Sequence, residues 1–177
     1  MNLMKITVLL ALFATGIPGC TPTPVSAVIA EEEKTLINKT LDSFNRAAGA
    51  SHFDEYFAFY TDDAIFTGTD ANERWDKKAF MVWARPHFEQ KKAWNFTSLE
   101  RHVFIDSLGS LAWFDELLST QMKICRGSGI LVKTGPDWKL KQYILSTTIP
   151  NEQLDSIAIK KAPFEDSIIL RLRQAKD

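Results

Sequence analysis

Four long runs of strand-forming residues follow one another in the second half of the chain: Asn95–Asp106, Leu111–Lys123, Cys125–Lys133 and Trp138–Ile149. The glycine-containing segments Ser107–Ser110 and Thr134–Asp137 serve as turns between them, and turns of this kind fold a chain back antiparallel to itself. Polar residues interrupt the runs in A-W-F-D-E (Ala112–Glu116), R-G-S-G (Arg126–Gly129) and W-K-L-K-Q-Y-I-L-S-T-T-I-P-N-E (Trp138–Glu152). Strands tolerate polar groups among apolar ones where those groups pair with one another or line a cavity.

The first half reads as helical. Leu36, Ile37, Leu41, Phe44 and Ala48 recur at the spacing of one helix face, which predicts a helix over about Ala30–Ala48, ended by Gly49. Glu31, Glu32 and Glu33 then sit near its positive end. His52–Tyr60 predicts a second, short amphipathic helix. Thr61-Asp62-Asp63 reads as a turn, Ala64–Thr67 as a short strand and Glu73-Arg74-Trp75 as the return arm of a hairpin. Asp76 suits the N-cap of a third helix, Lys77 to about Gln90, which Pro86 should kink or interrupt. Helices first and a meander after them is an α+β arrangement, with helices on one face of a curved antiparallel sheet. The tail 153–177 has helix-compatible spacing in Leu154, Ile157 and Ala158 before Pro163, so it is expected to be partly helical.

The N-terminus has the pattern of an export signal. Lys5 precedes an apolar core, Ile6–Thr15, too short to span a bilayer, and Ile17-Pro18-Gly19-Cys20 closes it. A small residue followed by cysteine resembles a bacterial lipobox. Residues 1–19 would then be a lipoprotein signal peptide, Cys20 the lipidated residue, and 20–29 a tether extended by Pro22 and Pro24. Ordinary cleavage near Val25-Ser26-Ala27 is the alternative, and it releases a soluble periplasmic or secreted protein. The expected location is the bacterial cell envelope, with the membrane reached by a lipid anchor only. Losing residues 1–20 removes one lysine from 21 basic residues and none of 22 acidic ones, leaving a net charge of −2. With no basic run either, nucleic acid is not an expected partner. Cys125 would remain as the one unacylated thiol, expected to be buried and structural. No His/Cys/carboxylate cluster has ligand spacing, so no metal and no other cofactor is expected.

With Y-T-D-D-A-I-F (Tyr60–Phe66) after two helices and W-K-L-K-Q-Y-I-L-S on the last strand, the chain resembles the nuclear transport factor 2-like superfamily. Within it, A-W-F-D-E, R-G-S-G and Q-Y-x-L-S-x-x-I-P-N are similar to the SnoaL-like branch. The resemblance covers about residues 30–152. It implies a cone of helices on a strongly bent sheet, a pocket inside the cone, and a homodimer across the outer sheet face. Members range over isomerases, cyclases, dehydratases and non-catalytic ligand-binding modules, so the fold does not name a reaction. The ketosteroid isomerase branch places a tyrosine oxyanion donor on the first helix and an aspartate base just after the D-D-A strand. Aligned without gaps through Asp63, those positions here hold Phe44 and Gly68, whose side chains neither donate nor accept a proton. The isomerase mechanism does not carry over.

Asp115 and Glu116 are neighbours in a strand, so they point to opposite faces and cannot form a dyad. If Ala112, Phe114 and Glu116 face the pocket, Glu116 is the buried acid; a bulge would exchange it for Asp115. Glu116 reads either as a general base with raised pKa or as half of a buried ion pair with Arg126 or Arg101. His102 is the other candidate for proton transfer. On the last strand, alternation puts Trp138, Leu140, Gln142, Ile144 and Ser146 on one face. Gln142 and Ser146 are thus the expected neutral pocket groups, and Tyr143 and Leu145 share the side of Lys139 and Lys141, where a dimer partner could cover them. The glycines flanking Ser128 mark a bend or a close approach, with curvature the expected cause. Arg126 can hold an anion bidentately, and aromatic residues such as Tyr60 and Trp83 can wall an apolar pocket.

The leading expectation is an envelope lipoprotein binding a small, largely apolar organic molecule with an anionic or carbonyl group. Glu116, Arg126, Gln142 and Ser146 would hold it, with Tyr60, Arg101, Ser128 and Trp83 around them. A lyase, isomerase or hydrolase using Glu116 or His102 as base is the second expectation, and a dimerisation module with a self-filled interior the third. A cavity with Glu116 in its wall favours the first two, and a collapsed interior with Glu116 locked to an arginine favours the third.

Overall fold

The computed structural model describes residues 26–175. The readings of the export signal, of Cys20 and of the start of the tether lie outside the described residues. Helix α1 (Ala27–Gly49) begins at Ser26, whose hydroxyl accepts from Ile29 N at 3.4 Å. Ile37, Leu41, Phe44 and Ala48 follow the predicted helical stripe and are almost wholly buried, whereas Leu36 of that stripe is exposed at the helix surface. Because α1 starts earlier than its apolar stripe, Glu31–Glu33 fall outside its first turn. Glu33 reaches the sheet instead: its carboxylate accepts from the Trp138 indole N–H at 2.7 Å and pairs with Lys133.

Helix α2 (Phe53–Ala58) leads into strand β1 (Tyr60–Thr67), which pairs antiparallel with the short β2 (Arg74–Asp76). The segment Thr61-Asp62-Asp63, expected as a turn, belongs to β1, within an irregularity of its pairing. Helix α3 (Lys77–Glu89) is capped by the Asp76 carboxylate, which accepts from Ala79 N at 2.8 Å, and it continues through Pro86 without ending there. Strands β3 (Thr97–Ile105), β4 (Leu111–Thr120), β5 (Lys123–Thr134) and β6 (Asp137–Thr147) form the predicted meander. After one 3₁₀ turn, helix α4 (Leu154–Gln174) runs on through Pro163. Among the described residues the tail is helical from Leu154 to Gln174.

The six strands lie in the order β2-β1-β6-β5-β4-β3. The sheet is curved and mixed rather than wholly antiparallel. β1 lies along β6, the edge that the meander leaves open, and the two strands run parallel. Helices α1 to α3 cover the inner face, where Phe44, Tyr56, Phe57, Phe66 and Phe80 interlock. Burying each such ring contributes about 2 kcal/mol, and their stacked and edge-to-face contacts fill the interior.

Two one-residue bulges decide which side chains enter that interior. In β6 the pairing with β5 steps from Leu131↔Leu140 to Ile130↔Gln142, so Lys141 is the extra residue. In β3 the pairing with β4 steps from Leu118↔Ser98 to Leu117↔Glu100, so Leu99 is the extra residue. Side chains alternate faces along a strand, and an inserted residue reverses the alternation beyond it. Trp138 and Leu140 therefore point inward before the bulge, and Tyr143 and Leu145 point inward after it. This overturns the expected inward face of Gln142, Ile144 and Ser146.

Candidate functional site

The meander places one ion pair inside the cone. On β4 no bulge intervenes, and Ala112, Phe114, Glu116 and Leu118 alternate inward while Asp115 faces out. Glu116 is the buried acid, 2% exposed. Directly opposite on β3, the bulge at Leu99 turns Arg101 inward. Its Nε donates to Glu116 Oε2 at 2.9 Å, and Nη2 lies 2.8 Å from the same oxygen. Nη1 donates to Asp42 Oδ1 at 2.8 Å and to the Asn38 carbonyl at 3.2 Å, tying the sheet to α1. The Tyr143 hydroxyl donates to Glu116 Oε1 at 3.1 Å.

Burial pushes the Glu116 carboxyl up, against the opposing pull of Arg101 and the Tyr143 hydroxyl, and the net shift is upward. Burial, with the Glu116 charge added, raises the Tyr143 phenol well above its ordinary value. Each oxygen of Glu116 has a donor and one donor is a cation, so the carboxylate is held as half of an ion pair. A general base needs a free lone pair within reach of substrate. Glu116, 2% exposed and paired with Arg101, presents none to solvent. The partner is Arg101, not Arg126, whose exposed side chain follows Cys125 onto the outer face.

The glycines of R-G-S-G serve this pair. A Cβ at Gly127 would stand 2.5 Å from the Tyr143 hydroxyl and 3.0 Å from Glu116 Cγ. A Cβ at Gly129 would stand 2.4 Å from the Gln142 carbonyl oxygen and 2.8 Å from the Phe114 ring. Close approach by neighbouring side chains and backbone explains both glycines, where curvature was expected.

Of the other predicted residues, Trp83 lines a cavity described below. Ser128, Gln142 and Ser146 lie on the outer side of the sheet with Arg126. His102 does too: its Nδ1 lies 3.2 Å from Asp115 and its Nε2 3.3 Å from Glu100, and Asp115 chiefly raises its pKa. It cannot serve as a base in the cone. Tyr60 is buried in the core, its hydroxyl 3.1 Å from that of Tyr56. Cys125 is fully buried and free, as expected for a structural thiol.

A cavity of about 180 Å³ opens where β1 and β6 end and β4 turns into β5. Its walls include Phe66, Trp75, Trp83, Trp94 and Phe96, with Met122 from the β4–β5 turn and Leu145 from β6. The rings lie in near-parallel layers. Phe66 and Phe80 stack at 4.0 Å and 8°, Trp75 and Trp83 at 4.9 Å and 26°, and Trp83 and Trp94 at 6.1 Å. Glu73 is the one charged residue in the wall. Apart from Trp83, the sequence reading missed this site, although three of the five tryptophans crowd between positions 75 and 94. A wider groove of about 580 Å³ separates α1 from the edge strand β3, with Asp42, Asn45 and Ser98 among its residues. It is larger but shallow, and neither cavity includes Glu116 in its wall.

The model of the SnoaL-like domain matches residues 37–150. Among solved structures, a nuclear transport factor 2-like protein of unknown function from Pseudomonas putida superposes with a TM-score of 0.55 at 16% identity, over 72% of this chain and 92% of that one. A candidate scytalone dehydratase from Novosphingobium aromaticivorans gives 0.55 at 15% identity, over 67% and 86%. A candidate aromatic ring hydroxylase from the same species gives 0.55 at 16%, over 68% and 92%. No curated protein matches the chain. At these identities the solved structures speak for the fold alone, whereas the family model spans well over half of the sequence. The chain belongs to the SnoaL-like family, and its fold is that of nuclear transport factor 2-like structures.

Proposed function

We propose that this protein is a binder of a small, flat, mostly apolar organic molecule, held in the tryptophan-walled cavity beside α3. The observation that carries the reading is the layered set of rings, Trp75, Trp83 and Trp94, lining a concave site with few polar groups. A flat ring adds one more layer to such a stack at small entropic cost. The cavity volume suits a molecule of one or two rings. A similar fold in a candidate aromatic ring hydroxylase is consistent with a cyclic ligand.

Binding is favoured over catalysis because both buried carboxylates, Glu116 and Glu33, are paired with cations and stand outside the cavity wall. Native mass spectrometry of the purified protein should show a co-purifying small molecule, lost in Trp83→Ala. Absence of any ligand, together with no binding of small aromatic probes by calorimetry, would sink the reading.

The outer sheet face supports self-association. Phe104 and Trp113 stack there at 5.7 Å, and Leu111, Trp113 and Ile124 are each more than one-third exposed. An apolar strip of this kind is suited to a second copy, and the same spectra report subunit number. The N-terminal motif supports attachment to the bacterial envelope through Cys20. Labelling with palmitate should be lost in Cys20→Ser, and persistence of the label would refute the anchor.

A further inference from the structure

The proposed ligand acquires a sign from the cavity's one charged residue. Glu73 sits on the turn between β1 and β2, half-buried, with its side chain in the cavity wall. Its Oε2 accepts from Asp70 N at 3.1 Å, which fixes the carboxylate against the turn. Among the described residues, no lysine, arginine or histidine nitrogen lies within ion-pair distance of it. Of the nearby cations, Arg74 is exposed on the strand position before Trp75, and Arg171 of α4 donates to Asn72 Oδ1 at 3.1 Å.

A half-buried carboxylate without a cation costs solvation that a bound cation would return. The walls favour the same charge. Indole faces carry negative electrostatic potential, and tryptophan is the strongest of the aromatic side chains at holding a cation over its ring. Trp75, Trp83 and Trp94 surround the site, and no positively charged group lines it. Arg101 and Arg126, the residues that would hold an anion, lie in the buried pair and on the outer face respectively.

Resting on the binding function proposed above, we infer that the ligand is a flat organic cation, such as a quaternised or protonated nitrogen heterocycle, with Glu73 supplying the counter-charge. The inference replaces the anionic or carbonyl group expected from the sequence.

The test uses two probes of the same shape, N-methylquinolinium and its neutral isostere methylnaphthalene, titrated by calorimetry into the wild-type protein, Glu73→Gln and Trp83→Leu. The glutamine keeps a carbonyl to accept from Asp70 N, so the turn is preserved, and a thermal melt checks it. The cation is expected to bind the wild type about tenfold tighter than the isostere. Glu73→Gln should abolish most of that preference by weakening the cation far more than methylnaphthalene. Trp83→Leu should weaken the cation more than the isostere. Equal affinities of the two probes for the wild type would overturn the cation while leaving the binding function standing. A preference that survives Glu73→Gln would overturn the role of the carboxylate. Failure of both probes to bind would overturn the inference together with the function on which it rests.

Discussion

Replacing Arg101 by methionine removes the cation that holds Glu116 while keeping much of the side-chain volume. The Glu116 side chain is 1% exposed, and that of Arg101 only 6%. Removing one partner of a buried pair of this kind costs about 3–5 kcal/mol, because the other charge is left uncompensated. The lost contact with Asp42 adds little, since that carboxylate is more than half exposed and surface pairs contribute about 0–1 kcal/mol. The pH dependence has a definite sign. Burial already raises the Glu116 carboxyl, and without Arg101 the folded-state value climbs further. A carboxyl raised in the folded state supports stability fully below its unfolded pKa and loses that support as pH rises through the folded value. The variant's deficit should thus be smallest in acid. It should grow by up to about 1.4 kcal/mol per pH unit from the wild type's raised value to the variant's higher one, and then level off. Urea unfolding followed by far-ultraviolet circular dichroism at about pH 4 and about pH 8 measures both ends of that window. Adding Glu116→Leu should remove the pH-dependent part and recover most of the loss. The exception is about 1–3 kcal/mol for the Tyr143 hydroxyl left without an acceptor. A deficit identical at both pH values, and unchanged in the double variant, would refute the claim that Arg101 acts by neutralising Glu116.

Other perturbations test neighbouring parts of the argument. Gly127→Ala should destabilise by about 1–3 kcal/mol through overpacking, and less in a Tyr143→Phe background, since the hydroxyl is the nearest atom to the added methyl; strictly additive melting shifts would contradict this contact. Deleting Lys141 should leave a cooperatively folded protein with Leu140, Tyr143 and Leu145 still inward, because Leu131↔Leu140 is then followed directly by Ile130↔Gln142, and loss of cooperative unfolding would contradict Lys141 as the extra residue; Lys141→Ala loses only an exposed pair with Asp63 and should change stability by less than about 1 kcal/mol. Glu33 behaves oppositely to Glu116: Lys133 lowers its pKa, so its contribution is present above the ordinary carboxyl range and lost as pH falls through the folded value. Glu33→Gln should therefore weaken the protein at neutral pH and converge with wild type in strong acid, as denaturant titrations would record. Trp113→Glu should leave the fold intact and yield monomer on size-exclusion chromatography if the outer face joins two copies.

Much of the fold was legible because it rests on local periodicity. The stripe Ile37, Leu41, Phe44 and Ala48 specifies α1, Asp76 specifies the start of α3, and glycine-bearing turns specify the meander. The strict alternation of β4 likewise separated Glu116 from Asp115 correctly. Pro86 and Pro163 misled, because a helix held by its neighbours can absorb a missing N–H near its end, and the run through Pro163 is long. The site was legible only at Trp83. Its other walls come from β1, β2 and the turn between them, the segment before β3, the β4–β5 turn and β6, which no local pattern connects.

What the sequence by itself determined is the α+β class, the family and the identity of the buried acid, since each depends on periodicity or motif within one element. What the tertiary structure decided is which residues meet. A single extra residue at Lys141 sends Tyr143 inward and Gln142 and Ser146 outward, and another at Leu99 delivers Arg101 to Glu116 in place of Arg126. A bulge arises where one strand must bend more than its neighbour to follow a curved sheet. That requirement belongs to the pairing of two strands, and neither strand carries it alone.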